Sequence, residues 1–217
     1  MINTKEIRTE ELGGKPMFIA DNFLKNPDEV YEIIFSSLGN WHKPNEQYSL
    51  NGLYFLDRRK VITGEFTEQV HNLVKELTGE IPIVNHLATN ETLFFDEPFN
   101  DPENYWWRMH IDGGYNLIIY MSKGGDSCGT NFYDRDDFLN YDKFYAFEHE
   151  QPWIPKKDFK RTKHIEGKYN RMVLFNGLIP HGMNLTPNKF INKYRRNIAG
   201  FYYDGNTDDS NTTNSKN

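Results

Sequence analysis

The stretch Tyr105–Met121, YWWRMHIDGGYNLIIYM, decides how the rest of the chain reads. It holds two β-favouring runs, Tyr105–His110 and Tyr115–Met121, parted by Gly113 and Gly114. Aromatic and β-branched residues crowd both runs, and a glycine pair is turn chemistry. Between them lies His110-Ile111-Asp112. Residues two apart on a strand share a face, so this imidazole and carboxylate would project together into one cavity. Taken alone the pair reads first as a half-buried histidine and a turn aspartate, so the rest of the chain must decide.

Downstream, short β-favouring runs continue at Thr130–Tyr133, Met172–Phe175 and Ile198–Tyr203, and Thr92–Phe95 precedes them. Turn clusters at Lys123–Gly125 and Asn184–Asn188 separate them. Upstream, Met17–Asp21 (MFIAD) reads as a strand leading into a helix. Pro27 stands in that helix's first turn, Asp28 and Glu29 favour its dipole, and Gly39 stops it. Val30, Ile33, Ile34 and Leu38 recur at helical spacing. A second helix is expected over Glu65–Leu77, with Phe66, Val70, Leu73, Val74 and Leu77 on one face and Gly79 closing it. Helices followed by a run of short strands give an α+β chain with a sandwich or barrel core.

At 217 residues the chain suits one domain, taken here as 1–203. The charged stretch 134–170 is too long for a hairpin loop and reads as an insertion with some helix of its own, serving as a lid or as a solvated excursion. After Asp204 nothing apolar anchors the tail, so 204–217 is expected to be disordered. A net charge of −6 gives no basic field to recruit nucleic acid or an anionic membrane. Cys128 is the one cysteine, which excludes an internal disulfide and any all-cysteine zinc site. No apolar leader follows Met1, and no run has the length to span a bilayer, so the expected location is cytoplasmic.

A third ligand for His110 and Asp112 must come from elsewhere, and His181 follows the apolar run MVLFNGLIP. Two histidines and one carboxylate on one side of a metal leave its other positions open, the iron(II) oxygenase pattern. Arg196 lies fifteen residues after His181 and opens the run RNIAGFYY. A guanidinium pointing into an apolar barrel needs an anionic partner, and a dicarboxylate would supply one. Arg195 would then face the opposite way, and a shift of register by one residue exchanges the two.

The order His110-x-Asp112, YNLIIYM at Tyr115–Met121, Gly129-Thr130-Asn131-Phe132, His181, and Arg196 ahead of FYY resembles the 2-oxoglutarate/iron(II)-dependent oxygenase superfamily. The prolyl-4-hydroxylase-like branch, with its bacterial and phage members, is most similar, and FIADNFLKNPDEVYEI resembles its strand–helix opening. The likeness covers residues 17–203 apart from 134–170. It implies a double-stranded β-helix (jelly-roll) core with the N-terminal helices packed on it. It implies Fe(II) held by His110, Asp112 and His181, with 2-oxoglutarate as cosubstrate and dioxygen as oxidant. Arg196 would hold the cosubstrate's distal carboxylate, Tyr120 would offer its hydroxyl to the same group, and Thr130 would line the pocket. Core packing explains Tyr120 and Thr130 equally well. Many relatives carry a small hydroxyl residue two positions after the arginine, where this chain has Ile198.

The expected activity is hydroxylation of a peptidyl or small-molecule substrate. One alternative is a non-enzymatic, cupin-like jelly-roll binding module. The other is a zinc hydrolase, which would need a general base near the metal and would leave Arg196 without a purpose.

Overall fold

The computed structural model describes residues 1–35, 48–50, 53–79, 84–94, 103–123, 127–136, 138–139, 153–185, 190 and 193–203. The expected tail, and most of the middle of the 134–170 stretch, lie outside these residues. The chain opens with β1 (Arg8–Leu12), β2 (Lys15–Ala20) and α1 (Pro27–Phe35). Then come β3 (Tyr48–Leu50), β4 (Leu53–Val61), α2 (Glu65–Thr78) and β5 (Val84–Phe94). The remaining strands are β6 (Tyr105–Trp107), β7 (Tyr115–Tyr120), β8 (Ser127–Tyr133), β9 (Trp153–Pro155) and β10 (Arg161–Gly167). Last are β11 (Met172–Asn176), β12 (His181–Met183) and β13 (Arg195–Tyr203).

Eight strands form one sheet in the order β1-β2-β11-β7-β13-β5-β4-β3, and three form a second, β10-β8-β12. β6 and β9 pair separately, and every pairing described is antiparallel. The result is a jelly-roll-like sandwich of antiparallel sheets.

Strand alternation sorts the large sheet into two buried faces. Leu117 and Ile119 of β7, Met172 and Leu174 of β11, and Ile198 and Tyr202 of β13 share one cluster with Val30, Ile34 and Phe35 of α1 and Phe66, Val70, Leu73 and Val74 of α2. The residues between them, Ile118, Tyr120, Val173 and Phe175, turn the other way and meet Phe132 and Ile165 of the small sheet. In α2 Phe66, Val70, Leu73 and Val74 of the expected stripe are buried and Leu77 partly so, and Gly79 closes the helix in the left-handed conformation at φ 71°. In α1 the stripe is narrower than its spacing predicts: Ile33 is 65% exposed, while Val30 and Ile34 are buried.

Several strands extend or correct the sequence reading. β5 begins eight residues before the run that marked it, β13 one residue before RNIAGFYY, and β3 and β4 form where no strand was expected. The 134–170 stretch is not wholly an excursion, because β10 pairs with β8 inside the small sheet. Polar residues diluted the apolar signal in these segments, and cross-strand pairing overrode it.

Candidate metal centre and its cavity

His110 and His181 form an antiparallel bridge: each backbone N–H donates to the other's carbonyl, at 2.8 and 2.9 Å. That reciprocal pair sets the two imidazoles side by side, with ring centroids 4.4 Å apart. Asp112 follows in the loop to β7, its N–H donating to the Gly177 carbonyl at 2.9 Å. The loop is closed by Gly114 at φ 60°, where an added Cβ would overlap the Tyr202 carbonyl.

Asp112 Oδ2 lies 3.7 Å from His110 Nε2 and 3.4 Å from His181 Nε2. The three ligand atoms fall within 4.8 Å of one another, close enough to hold one metal ion. His181 is 4% exposed, and its Nδ1 stands 2.8 Å from the Ile179 carbonyl. A carbonyl only accepts, so Nδ1 carries the proton and Nε2 offers its lone pair to the centre of the triad.

Asn116 on β7 was not singled out in the sequence. It is buried, its Nδ2 donates to Asp112 Oδ2 at 2.5 Å, and it also lies 3.3 Å from His181 Nε2. A polar residue at the second position of YNLIIY, two residues from Ile118 on the same face, was the available signal. Burial alone would raise the Asp112 carboxyl, but His181, His110 and Asn116 outweigh it and bring it down to about 2. The His110 ring is pushed below the ordinary imidazole range, first by desolvation and then by His181, with Arg108 and Arg59 adding and Asp112 opposing. An ionised carboxylate and an imidazole held below its ordinary range, as at Asp112 and His110, are the protonation states a divalent metal needs.

These residues line a cavity of about 670 Å³ that also holds Arg195, Asn197, Thr130, Trp107 and Phe138. β13 settles which arginine enters it. Ile198 and Tyr202 face the helices, so Arg196, of the same parity, faces them too. Its Nε donates to Glu91 Oε1 at 2.5 Å, its Nη1 reaches the Tyr31 hydroxyl, and its guanidinium sits over the Tyr31 ring at 5.2 Å. The expectation for Arg196 is thereby corrected by one residue of register: Arg195 lines the cavity instead. Arg195 is 4% exposed, with Nη1 donating to Asn197 Oδ1 at 3.0 Å and Nε left without a partner. Counting from Arg195, the residue two positions on is polar Asn197, not Ile198.

Tyr120 and Thr130 do meet, hydroxyl to hydroxyl at 2.7 Å, with Thr130 on the cavity wall and Tyr120 opposite Asn197 in the sheet. Trp106 and Trp107 split as alternation requires. Trp107 is buried against Phe94, and Trp106 lies under the cations of Lys156 and Arg161.

No family model matches the sequence, and no curated protein matches it. Solved structures do match by shape. A Pseudomonas putida prolyl-4-hydroxylase aligns over 87% of this chain and 92% of its own, at 11% identity and a TM-score of 0.50. The non-haem α-ketoglutarate-dependent epimerase SnoN of nogalamycin biosynthesis aligns over 87% and 76%, at 11% identity and a TM-score of 0.53. SnoN in complex with Fe3+, α-ketoglutarate and nogalamycin RO aligns at 11% identity over 87% and 78%, with a TM-score of 0.50. Among the described residues no helix is long and apolar enough to cross a membrane. This chain therefore has the fold shared by that prolyl-4-hydroxylase and that α-ketoglutarate-dependent epimerase.

Proposed function

We propose that this chain is a non-haem Fe(II), 2-oxoglutarate-dependent dioxygenase that hydroxylates a peptidyl or small-molecule substrate. The observation that supports it most is one cavity holding both the His110–Asp112–His181 triad and the buried Arg195. We read residues 1–203 as one oxygenase domain, a double-stranded β-helix braced on its outer face by the two N-terminal helices.

The residues fit both absent groups. Two imidazole nitrogens and a carboxylate converging from one side suit a divalent ion with its remaining positions open to the cavity. A buried guanidinium with an unpartnered Nε, held in place by Asn197, suits a carboxylate arriving from solution. Bound together, iron and 2-oxoglutarate supply oxidative decarboxylation coupled to insertion of oxygen into a substrate C–H bond. The chain's own part is binding and orientation. His181 presents Nε2 because the Ile179 carbonyl holds its Nδ1 proton. Asn116 fixes the rotation of the Asp112 carboxylate. Arg195 orients the cosubstrate in the cavity whose wall Thr130 also lines. Trp107 and Phe138 exclude water from the cavity wall.

The zinc hydrolase reading lacks its general base, since Asp112 is the one carboxylate among the described lining residues. A passive jelly-roll binder would have no use for three converging metal ligands beside a buried arginine. The deciding experiment is anaerobic Fe(II) titration with and without 2-oxoglutarate, watching for the weak visible charge-transfer band of the chelate. The band should appear in the wild type and vanish in Asp112→Ala. A wild type that binds neither iron nor 2-oxoglutarate would sink the enzyme reading while leaving the fold intact.

A further inference from the structure

One turn supports two of the three triad residues. Between β11 and β12 the chain passes through Asn176-Gly177-Leu178-Ile179. The Gly177 carbonyl accepts from Asp112 N–H at 2.9 Å, and the Ile179 carbonyl stands 2.8 Å from His181 Nδ1. Ile179 N–H donates to the Asn176 carbonyl at 3.1 Å, and Gly177 N–H donates to the Gly114 carbonyl at 2.7 Å. The packing leaves no slack: a Cβ on Gly177 would stand 2.8 Å from the Asp112 carbonyl oxygen and 3.1 Å from that of Gly113. An asparagine followed by a glycine is thus built into the support of both Asp112 and His181.

Asparagine before glycine is prone to lose its side-chain amide, because glycine leaves the following backbone nitrogen unshielded and free to turn. In that reaction Gly177 N attacks Asn176 Cγ, the Cγ–Nδ2 bond breaks, and Nδ2 departs as ammonia with the proton that Gly177 gives up. Water then opens the cyclic imide at either carbonyl and leaves aspartate or isoaspartate, with no change of oxidation state. Two hydrogen bonds of the turn act on this chemistry in opposite senses. Leu178 N–H donates to Asn176 Oδ1 at 3.0 Å, which holds the carboxamide against its own main chain and sets a donor where negative charge would develop. Gly177 N–H, by contrast, must break its bond to the Gly114 carbonyl before it can release a proton. That bond is the latch, and Gly114 lies in the loop that carries Asp112.

Resting on the metal centre read above, we propose that Asn176–Gly177 is a deamidation site gated by metal occupancy. A bound ion ties Asp112 to both histidines, which closes the loop through Gly114 onto Gly177 and keeps the amide intact. In the metal-free chain that loop opens more often, and the amide is lost. Isoaspartate lengthens the backbone at a turn with no room for it, so it draws the Gly177 carbonyl away from Asp112 and the Ile179 carbonyl away from His181. A chain left empty thereby loses its capacity to take metal up again.

The test ages the wild-type chain in warm, mildly alkaline buffer, loaded with Mn(II) or kept metal-free by a chelator. A synthetic peptide of residues 174–180 serves as the unprotected reference. Conversion at Asn176 is read by peptide mass spectrometry, and isoaspartate by its enzymatic methylation. With Mn(II) at about a hundred times its Kd, conversion should be more than about tenfold slower than in the metal-free chain, because opening that releases metal is suppressed by mass action. The aged metal-free chain should bind Mn(II) about tenfold or more weakly by calorimetry, as expected when ligands lose the partners that orient them. Asn176→Gln, whose longer side chain does not close the same ring, should keep its starting Mn(II) affinity through the same ageing. Equal conversion with and without Mn(II), an Asn176 that stays intact while the peptide converts, or an aged chain with undiminished affinity would each overturn the proposal. So would an equal loss of affinity in Asn176→Gln. A fresh wild type that does not bind Mn(II) would overturn the gate together with the metal centre beneath it, whereas the other outcomes leave that centre standing.

Discussion

Asn116 Nδ2 stands 2.5 Å from Asp112 Oδ2, so a buried amide four residues along the chain fixes the rotation of the carboxylate in the triad. Partners that orient a ligand typically contribute about tenfold to a hundredfold in metal affinity. Asn116→Ala should lower Mn(II) affinity by about that factor while leaving the melting temperature nearly unchanged. Asn116→Asp should also weaken binding, because a second carboxylate would turn Asp112 away. Unaltered Mn(II) titration curves in both variants would remove Asn116 from the site.

Arg195 and Arg196 separate cleanly by measurement. Arg195→Gln should weaken 2-oxoglutarate binding by about tenfold to a hundredfold, the range for hydrogen bonds to a charged group, with little change in stability. Arg196→Gln should leave cosubstrate affinity alone and cost about 3–5 kcal/mol, since it removes one partner of an ion pair whose other member, Glu91, is fully buried. Calorimetry with 2-oxoglutarate and chemical denaturation of the two variants give the answer. The opposite pattern would mean that β13 is shifted by one residue.

Acid sensitivity should come partly from Asp21. Arg171 donates to both of its oxygens, at 2.6 and 3.1 Å, and Lys168 and Arg8 stand nearby. The Arg171 hydrogen bonds, against an opposing desolvation, hold this carboxyl below its ordinary value. A depressed carboxyl contributes stability that is full above its unfolded pKa and lost as pH falls through the folded one. Asp21→Asn should therefore destabilise at neutral pH by about 1–3 kcal/mol and flatten the loss of stability below about pH 4. Parallel wild-type and variant pH curves would show that the pair contributes nothing.

Gly114→Ala should fold poorly. The position needs φ 60° and has no room for a Cβ against the Tyr202 carbonyl, while its own carbonyl accepts from Gly177 N–H at 2.7 Å. Since this turn carries Asp112, any folded variant should also bind metal more weakly. A well-folded variant with wild-type metal affinity would show that the turn relaxes without moving the ligand.

Much of this was legible in advance because it depends on local spacing. The pairing of His110 with Asp112 could be suspected from their spacing, although Asp112 sits in the loop to β7 and not on a strand, and α2 could be read from its apolar positions and Gly79. The arginine could not be read that way. Which face Arg195 takes depends on Asn197 lying opposite Tyr120 and Asn90, a pairing between segments far apart in the chain. Likewise β10 has too few apolar residues to announce a strand, and it becomes one because β8 offers an edge. Asn116 was visible as a polar residue in an apolar run, but only the fold brings Asp112 to it.

The back-to-back placement of Arg195 and Arg196 also bears on how the segment between β12 and β13 can change over time. Losing or gaining one residue there would have to be absorbed before β13, or it would send the pocket arginine to the helix side and the structural one into the cavity. Substitutions there leave the register alone, and those at Leu185 and Phe190, buried with Phe94 and Trp107, act on packing instead. Among sequences descended from a common ancestor with this chain, Leu185 and Phe190 should stay apolar, while gaps in the segment leave the Arg195–Arg196 parity intact.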